Sequence, residues 1–404
     1  MIKNTSLFAF LLFIVSSINL VIAQDAEGCD GARYRYLVFD DFQKIEDVVY
    51  GSNISANGNE VELDMDIYLP QGDSITNRPV ILIAHGGFFI SGNNEFADVV
   101  TLCEDFAKMG YVVCSYSYRL GVDDWFNLQE SFQEAVLRGV HDGKAATRFL
   151  RKTHAEDGNP WGIDPARIIL GGSSAGAFIA LHNAYLELDE ILDLIDLEQL
   201  GLGGGIEGLS GNLGYSSEVL SVFSMSGAIG TAAWMEVGDV PVVSTHGTSD
   251  STVPYGSGTI QFLSLSVDDV DGSQVVHEVA DSLGIENCFY TMDDAEHIPH
   301  SFSEAYHDTT LSVISGFNSR MVCPTYEPIC GVYDVTDVPE IIEEPPIECL
   351  EDLVPNGIID QNDMLLFLSN YGCVGDCIGD FNGTGNVSIS DLLAILALYG
   401  SYCE

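Results

Sequence analysis

The sequence predicts an α/β protein, a mainly parallel sheet flanked by helices, followed by a small helical C-terminal domain. Three observations carry this. Apolar strand-like runs alternate with helix-like patterns from about Val48 to Arg320. One run ends in a glycine-rich turn around two serines, "LGGSSAGAF" (170–178). Near Gly331 the composition changes into an acidic, proline-bearing stretch and then a cysteine-bearing repeat.

The elements follow in order. Met1–Ala23 reads as a signal peptide: Lys3 supplies the positive end, Leu7–Val15 the apolar stretch, and Val21-Ile22-Ala23 the small-residue cleavage site. Ser16, Ser17 and Asn19 interrupt the apolar run, so it is too short to span a bilayer well, and no other stretch is long and apolar enough to do so. The protein is therefore expected to be exported. All 10 cysteines lie beyond Ala23, an even number that suits an oxidising compartment. Cys103 and Cys114 fall at a helix end and the next strand, where a bridge is one option. The formal charge of −47 makes binding to nucleic acid or an anionic membrane unfavourable.

Residues 24–331 are expected to form the main domain. "VELDMDIYL" (61–69) alternates at period two, as a half-buried strand does, while "PVILIAHGG" (79–87) is a near-continuous apolar run, as a buried parallel strand is. Helix patterns follow at about 96–109 and 128–152. Further strands are expected at 111–118, 167–172, 219–227, 240–247 and 287–293. Residues 186–217 interrupt this pattern with an acidic amphipathic run and a glycine-rich loop. They suit a pocket wall and a surface excursion equally.

Gly172-Ser173-Ser174-Ala175-Gly176 fits G-x-S-x-G between a strand and a helix, the setting of a strained turn that presents a nucleophile. The register selects Ser174. Alone, the pentapeptide also fits a plain strand-to-helix turn. A serine hydroxyl becomes nucleophilic when a histidine takes its proton and an acid holds that histidine. "HGTSDSTVPY" (246–255) offers Asp250 just after a strand, and "DDAEHIPHSF" (293–302) offers His297 just after the next. His300 is the alternative base, His246 reads as structural, and Asp239 and Asp271 are weaker acids. "AHGGFFISG" (84–92) follows an early strand and suits an oxyanion hole, with Gly87, Phe88 and Ala175 as the N–H donors.

"HGGFF", "WGIDPARIILGGSSAG" and "HGTSDSTVPY" resemble segments of α/β-hydrolases of the carboxylesterase/lipase type, over about residues 60–320. The middle segment is similar to the "GxDPxxVTLFGESAG" segment of type-B carboxylesterases. Three positions depart: Phe88 replaces a third glycine, Ser173 a glutamate, and Asp250 a glutamate acid. The resemblance implies the α/β-hydrolase fold and a carboxylic-ester hydrolase with no catalytic cofactor. A serine peptidase on the same fold, or a non-catalytic adhesion protein, is the alternative.

Residues 332–348 read as a stiff acidic linker. Residues 349–404 repeat at an offset of 28: Cys349 aligns with Cys377, Asp352 with Asp380, Asp363 with Asp391 and Tyr371 with Tyr399. The second copy places Asp380, Asn382, Thr384, Asn386, Ser388 and Asp391 at the ligand positions of a twelve-residue calcium loop, with Gly385 at its sharp turn. The first copy keeps Asp352, Asn356, Asp360 and Asp363 but has Val354 at the third position, which makes a weaker site. Cys349, Cys373, Cys377 and Cys403 supply material for two bridges. The tail resembles a dockerin. That resemblance implies structural Ca2+ and a cohesin-like or cell-surface partner.

Overall fold

The computed structural model describes residues 24–186, 201–339, 350–375 and 377–401. The signal-peptide segment, the acidic run over 187–200, the later part of the linker, Cys349 and Cys403 lie outside the described residues. The chain divides into two compact units, Met1–Pro339 and Glu340–Glu404.

The first unit is built on an eight-stranded sheet. Its strands are β1 (Phe42–Ile54), β2 (Glu60–Pro70), β3 (Arg78–Ala84), β4 (Val112–Tyr116), β5 (Ile163–Ser173), β6 (Ser221–Met225), β8 (Val242–Gly247) and β11 (Asn287–Met292). They lie in the order β1-β2-β4-β3-β5-β6-β8-β11. The β1–β2 and β2–β4 pairs are antiparallel, and the rest are parallel. The strand β7 (Ala228–Ile229) joins β9 (Ser257–Phe262) and β10 (Leu265–Gly272) in a separate small sheet.

The period-two geometry of a strand divides β3 between two cores. Val80, Leu82 and Ala84 face one side, where α2 (Leu128–Glu156), α3 (Ala175–Tyr185) and α4 (Ser273–Leu283) pack. Ile81 and Ile83 face the other, against α1 (Ala97–Lys108) and α5 (Glu304–Val322). Both faces of the central strands are thus covered, which is why their sequences lack polar alternation. The strands expected from sequence fall on β2–β6, β8 and β11. The strand β1 and the β9–β10 hairpin were not anticipated.

The described part of the 186–217 excursion is tied to α2 and β1. The fully buried Arg119–Asp142 pair anchors it, because Arg119 also donates to the Gly201 carbonyl (2.9 Å) and Ser210 Oγ (3.2 Å). Arg148 reaches Glu207 (2.7 Å), and Ser52 N–H donates to the Ser210 carbonyl (3.1 Å). Beyond residue 331, Val335 is buried and the Tyr333 hydroxyl meets Ser315 Oγ and the Arg35 carbonyl.

Disulfides join Cys29 to Cys323, Cys288 to Cys330, and Cys373 to Cys377. Cys103 and Cys114 remain free and buried. That corrects the expected option of a bridge between them: the two thiols instead fill apolar positions on opposite sides of the sheet, one with each core.

The second unit holds α6 (Gln361–Asn370) and α7 (Ile389–Ala397), spaced as the sequence repeat requires. Each begins with a capping box, Asp360 with Asp363 and Ser388 with Asp391. Ile359, Phe367, Val387 and Ile395 form its small core.

Candidate active site

Ser174 sits between β5 and α3 at φ 50°, ψ −113°, a backbone region costly for any residue with a side chain. Its N–H donates to the Met225 carbonyl at the end of β6 (2.9 Å), which fixes the turn. The flanking glycines are a steric requirement. A Cβ on Gly176 would lie 2.1 Å from the Ala84 carbonyl oxygen, so β3 leaves no room for one. Ser173 points inward: its hydroxyl is buried beside the Asp98 carboxyl.

The loops after β8 and β11 bring the other two residues to this turn. Ser174 Oγ lies 2.8 Å from His297 Nε2, and His297 Nδ1 lies 2.7 Å from Asp250 Oδ2. An ionised carboxylate only accepts, so Nδ1 carries the proton and Nε2 is free to accept the serine hydroxyl. Asp250 Oδ1 accepts the N–H groups of Thr252 and Val253, both at 2.9 Å. Burial alone would raise this carboxyl. The hydrogen bonds from His246 and His297 outweigh it and hold the group well below the usual carboxylate range.

Neighbouring residues staple the histidine loop in place. Ser226 Oγ accepts from Ile298 N–H (3.1 Å), and Ser249 N–H donates to the Ala295 carbonyl (3.0 Å). Gly247 lets these loops meet, because a Cβ there would sit 2.2 Å from the Ala295 carbonyl oxygen. Neither His300 nor the weaker acid candidates join the cluster. His300 is buried with Nε2 donating to the Asp98 carbonyl (3.1 Å). Asp271 accepts from Ser257 Oγ and Ala232 N–H, and Asp239 accepts Glu236 N–H.

The expected oxyanion loop lies beside the serine, with Gly86 close enough that a Cβ on it would be 3.3 Å from Ser174 Cβ. Gly87, Phe88 and Phe89 all take positive φ (107°, 57° and 57°), a tight turn that is costly for the two phenylalanines. Among the described residues, nothing accepts a hydrogen bond from the N–H groups of Gly87, Phe88 or Ala175. His85 supports this loop from beneath: Nδ1–H donates to the Gly86 carbonyl (2.6 Å) and the ring stacks on Tyr118 at 4.4 Å. Asp98 Oδ2 accepts Gly86 N–H (2.8 Å). Burial pushes the Asp98 carboxyl up to about 6, against the lowering effect of Ser173 and Gly86.

The Phe88 ring stacks on Phe262 of the β9–β10 hairpin at 4.1 Å and packs on Phe132 at 5.5 Å. Phe132 also lines a cavity of about 160 Å³ beside α3, with Val136, Phe178, His182, Trp234 and Val270 among its walls. Ser174 is not among them.

In the second unit, Asp380 accepts Thr384 N–H (3.0 Å) and Gly385 N–H (2.6 Å), while Asp391 reaches back to Asn382 N–H (3.3 Å). The first loop repeats this. Asp352 accepts Asn356 and Gly357 N–H (3.3 and 3.0 Å), and Asp363 accepts Val354 N–H (2.7 Å). Among the described residues no three carboxylates, imidazoles or thiolates converge as a metal cluster. The second loop instead combines the Asp380 and Asp391 carboxylates with neutral oxygens of Asn382, Thr384, Asn386 and Ser388, a hard donor set suited to calcium. Among the described residues no helix is long and apolar enough to cross a membrane.

Comparisons with known proteins find matches to part of the chain. Residues 65–200, about a third of the chain, match the BD-FAE family model. Arylacetamide deacetylase-like 2 of Homo sapiens is 30% identical over 123 residues, which are 30% of this chain and 27% of that protein. The chain therefore spans about a quarter of that relative's length. Thermogutta terrifontis esterase 2, phosphorylated by paraoxon, aligns with a TM-score of 0.47 at 22% identity, covering 67% of this chain and 91% of that one. A truncated carbohydrate esterase from gut microbiota aligns with a TM-score of 0.49 at 19% identity, covering 69% and 96%. The family match takes in the His85–Phe88 loop and Ser174, and ends before Asp250 and His297.

Proposed function

We propose that the protein is a secreted serine hydrolase of carboxylic esters, acting through Ser174, His297 and Asp250. The carrying observation is the unbroken hydrogen-bond line from Ser174 Oγ through His297 to Asp250, with steps of 2.8 and 2.7 Å. Ser174 Oγ bonds to the ester carbonyl carbon as its proton passes to His297 Nε2, and the carbonyl electron pair moves onto oxygen. The N–H groups of Gly87, Phe88 and Ala175 stabilise that oxyanion, each by about 3 kcal/mol. Asp250 stays ionised beside the imidazolium. The intermediate collapses by expelling the alcohol oxygen, which takes the proton from His297. Water then attacks the acyl-enzyme with His297 as base, and releases the carboxylic acid and the free serine. The residues present account for each proton, so no cofactor is invoked.

The deacetylase-like relative favours a short acyl group such as acetyl. Together with a tethering module, that suits esters carried on a polysaccharide or another polymer. Disulfides in both units support export. In the second unit, Asp380, Asn382, Thr384, Asn386, Ser388 and Asp391 would hold Ca2+, which would cross-link the loop to α7. Asp352, Asn356, Asp360 and Asp363 form the weaker counterpart. The module's partner is read as cohesin-like or as a cell-surface component.

Hydrolysis of p-nitrophenyl acetate by the natural chain and by Ser174→Ala tests the reading. The variant is expected to lose about 10³-fold or more in kcat. Equal rates would remove the enzyme reading and leave a binding protein.

A further inference from the structure

Asp250 carries a second imidazole. His246 Nε2 lies 3.2 Å from Asp250 Oδ2, the same oxygen that His297 uses, and 3.2 Å from the Val253 carbonyl. Both neighbours are acceptors only, so Nε2 bears the proton and donates. Nδ1 must then accept, and Ser273 Oγ, on the first residue of α4, stands 2.8 Å away as its donor, with the Gly227 carbonyl a longer second acceptor at 3.4 Å. The side chains of His246 and Asp250 are fully buried, so water does not substitute for either contact. Oδ1 thus accepts Thr252 and Val253 N–H, and Oδ2 accepts from His297 with His246 Nε2 a further 3.2 Å neighbour, its hydrogen bond shared with the Val253 carbonyl. The backbone permits this arrangement at Gly272, where a Cβ would lie 1.8 Å from the Pro254 carbonyl oxygen.

We propose that His246 is a positioning residue for ester cleavage, acting through Asp250, with Ser273 setting its tautomer. The inference rests on the catalytic reading of Ser174, His297 and Asp250. Without the His246 donor, Oδ2 would face His297 alone, and its charge would be less shared. The imidazolium of His297 would be held more tightly, so the acid limb of the rate profile would move to higher pH. The carboxylate would also lose a fixed orientation, which lowers kcat rather than raising KM. Other titratable groups face this pair. Asp98 on α1 and His300 act on His297 through space, and the Tyr255 ring lies 5.7 Å from His246. They are unchanged between natural chain and variant, so the difference between profiles isolates His246.

The experiment measures kcat, KM and the acid limb on p-nitrophenyl acetate for His246→Leu, His246→Gln and Ser273→Ala, with melting temperatures. His246→Leu is expected to lower kcat about tenfold at unchanged KM. Its acid limb is expected to rise by about half a pH unit. His246→Gln, whose amide can donate to the same oxygen, restores most of both. Ser273→Ala shifts both in the same direction by less, and stands as the test if His246→Leu does not fold. Natural kcat and acid limb in His246→Leu, or in Ser273→Ala when the former is unfolded, would overturn the proposal. So would a glutamine variant as impaired as the leucine one. Ser174→Ala run alongside separates the two failures. Activity retained there sinks the catalytic reading itself, whereas activity lost there with unaltered His246 and Ser273 variants sinks only this inference.

Discussion

A Cβ on Gly172 would lie 2.3 Å from the carbonyl carbon of Gly176, so the glycines flanking Ser174 touch backbone to backbone across the turn. The turn cannot widen, because Gly176 is pressed against the end of β3 on its other side. Gly176→Ala is therefore expected to cost about 3 kcal/mol of stability. It should also abolish p-nitrophenyl acetate hydrolysis by displacing Ser174. Thermal melts and rates check this together, and a variant with natural values for both would contradict the packing described.

Asp250 separates position from charge. An asparagine can still accept Thr252 and Val253 N–H at one oxygen, so Asp250→Asn is expected to fold normally. It would no longer hold His297 in the tautomer with a free Nε2. A kcat loss of about 10³–10⁴ with a small change in melting temperature is expected. A loss below tenfold would show that Asp250 is not the orienting acid.

That Ser174, His297 and Asp250 meet was legible because each sits just beyond a strand whose apolar run is plain in the sequence. The glycines of 172 and 176 announced a close approach without saying to what; it is the end of β3. His246 reads as structural from sequence, since nothing local reveals that a strand residue four positions before Asp250 turns back onto it. Ser226 and Asp98 were missed for a related reason: their partners, Ile298 and Gly86, come from loops on other strands. The strand β1 escaped notice because its exposed face carries charges and its pairing shifts register twice, which blurs alternation. Cys29 and Cys323 are 294 residues apart, and no spacing rule reaches that far. Phe88 and Phe89 occupy positive φ where glycine is the expected residue, and the aromatic packing on Phe262 and Phe132 offsets that strain.

Five buried histidines fix the direction of the pH dependence of stability. Burial pushes His85, His141, His182 and His277 down to about 4 and His300 to about 3, from 6.5. The unfolded chain therefore binds more protons across that interval, and stability falls as pH falls from 6.5 towards 4. Asp98 opposes this. Its carboxyl is raised by burial from 3.8 to about 6, so between those values the folded chain holds the extra proton and stability falls as pH rises. One group acts against five. The melting temperature is expected to be level above about pH 7 and to drop steadily from pH 6.5 to 4. Asp98→Asn should be more stable than the natural chain at pH 7, with the advantage vanishing near pH 4. A melting temperature that holds constant down to pH 4 would refute the assignment.

The two loops of the second unit share one hydrogen-bond pattern and differ, among other positions, at the third, on which their proposed difference in calcium affinity turns. In each, the first aspartate accepts amides of the turn and the last reaches back to the third residue. The third residue is Asn382 in one loop and Val354 in the other, so on the proposed calcium reading the first loop would lack one ligand oxygen. With carboxylates from both ends of a loop drawn to one ion, binding would join the loop start to the helix that follows it. Calcium at about 100 times its dissociation constant would then add about 2.7 kcal/mol to the stability of this unit. Calorimetric melts of the full chain are expected to show a chelator lowering one transition and leaving the other, since the mechanism proposed for Ser174 invokes no metal. Titration should find one tight site, removed by Asp380→Ala and kept in Asp352→Ala. Equal loss from both variants would mean that the loops bind alike despite Val354, and a chelator without effect on either transition would dismiss calcium from the fold.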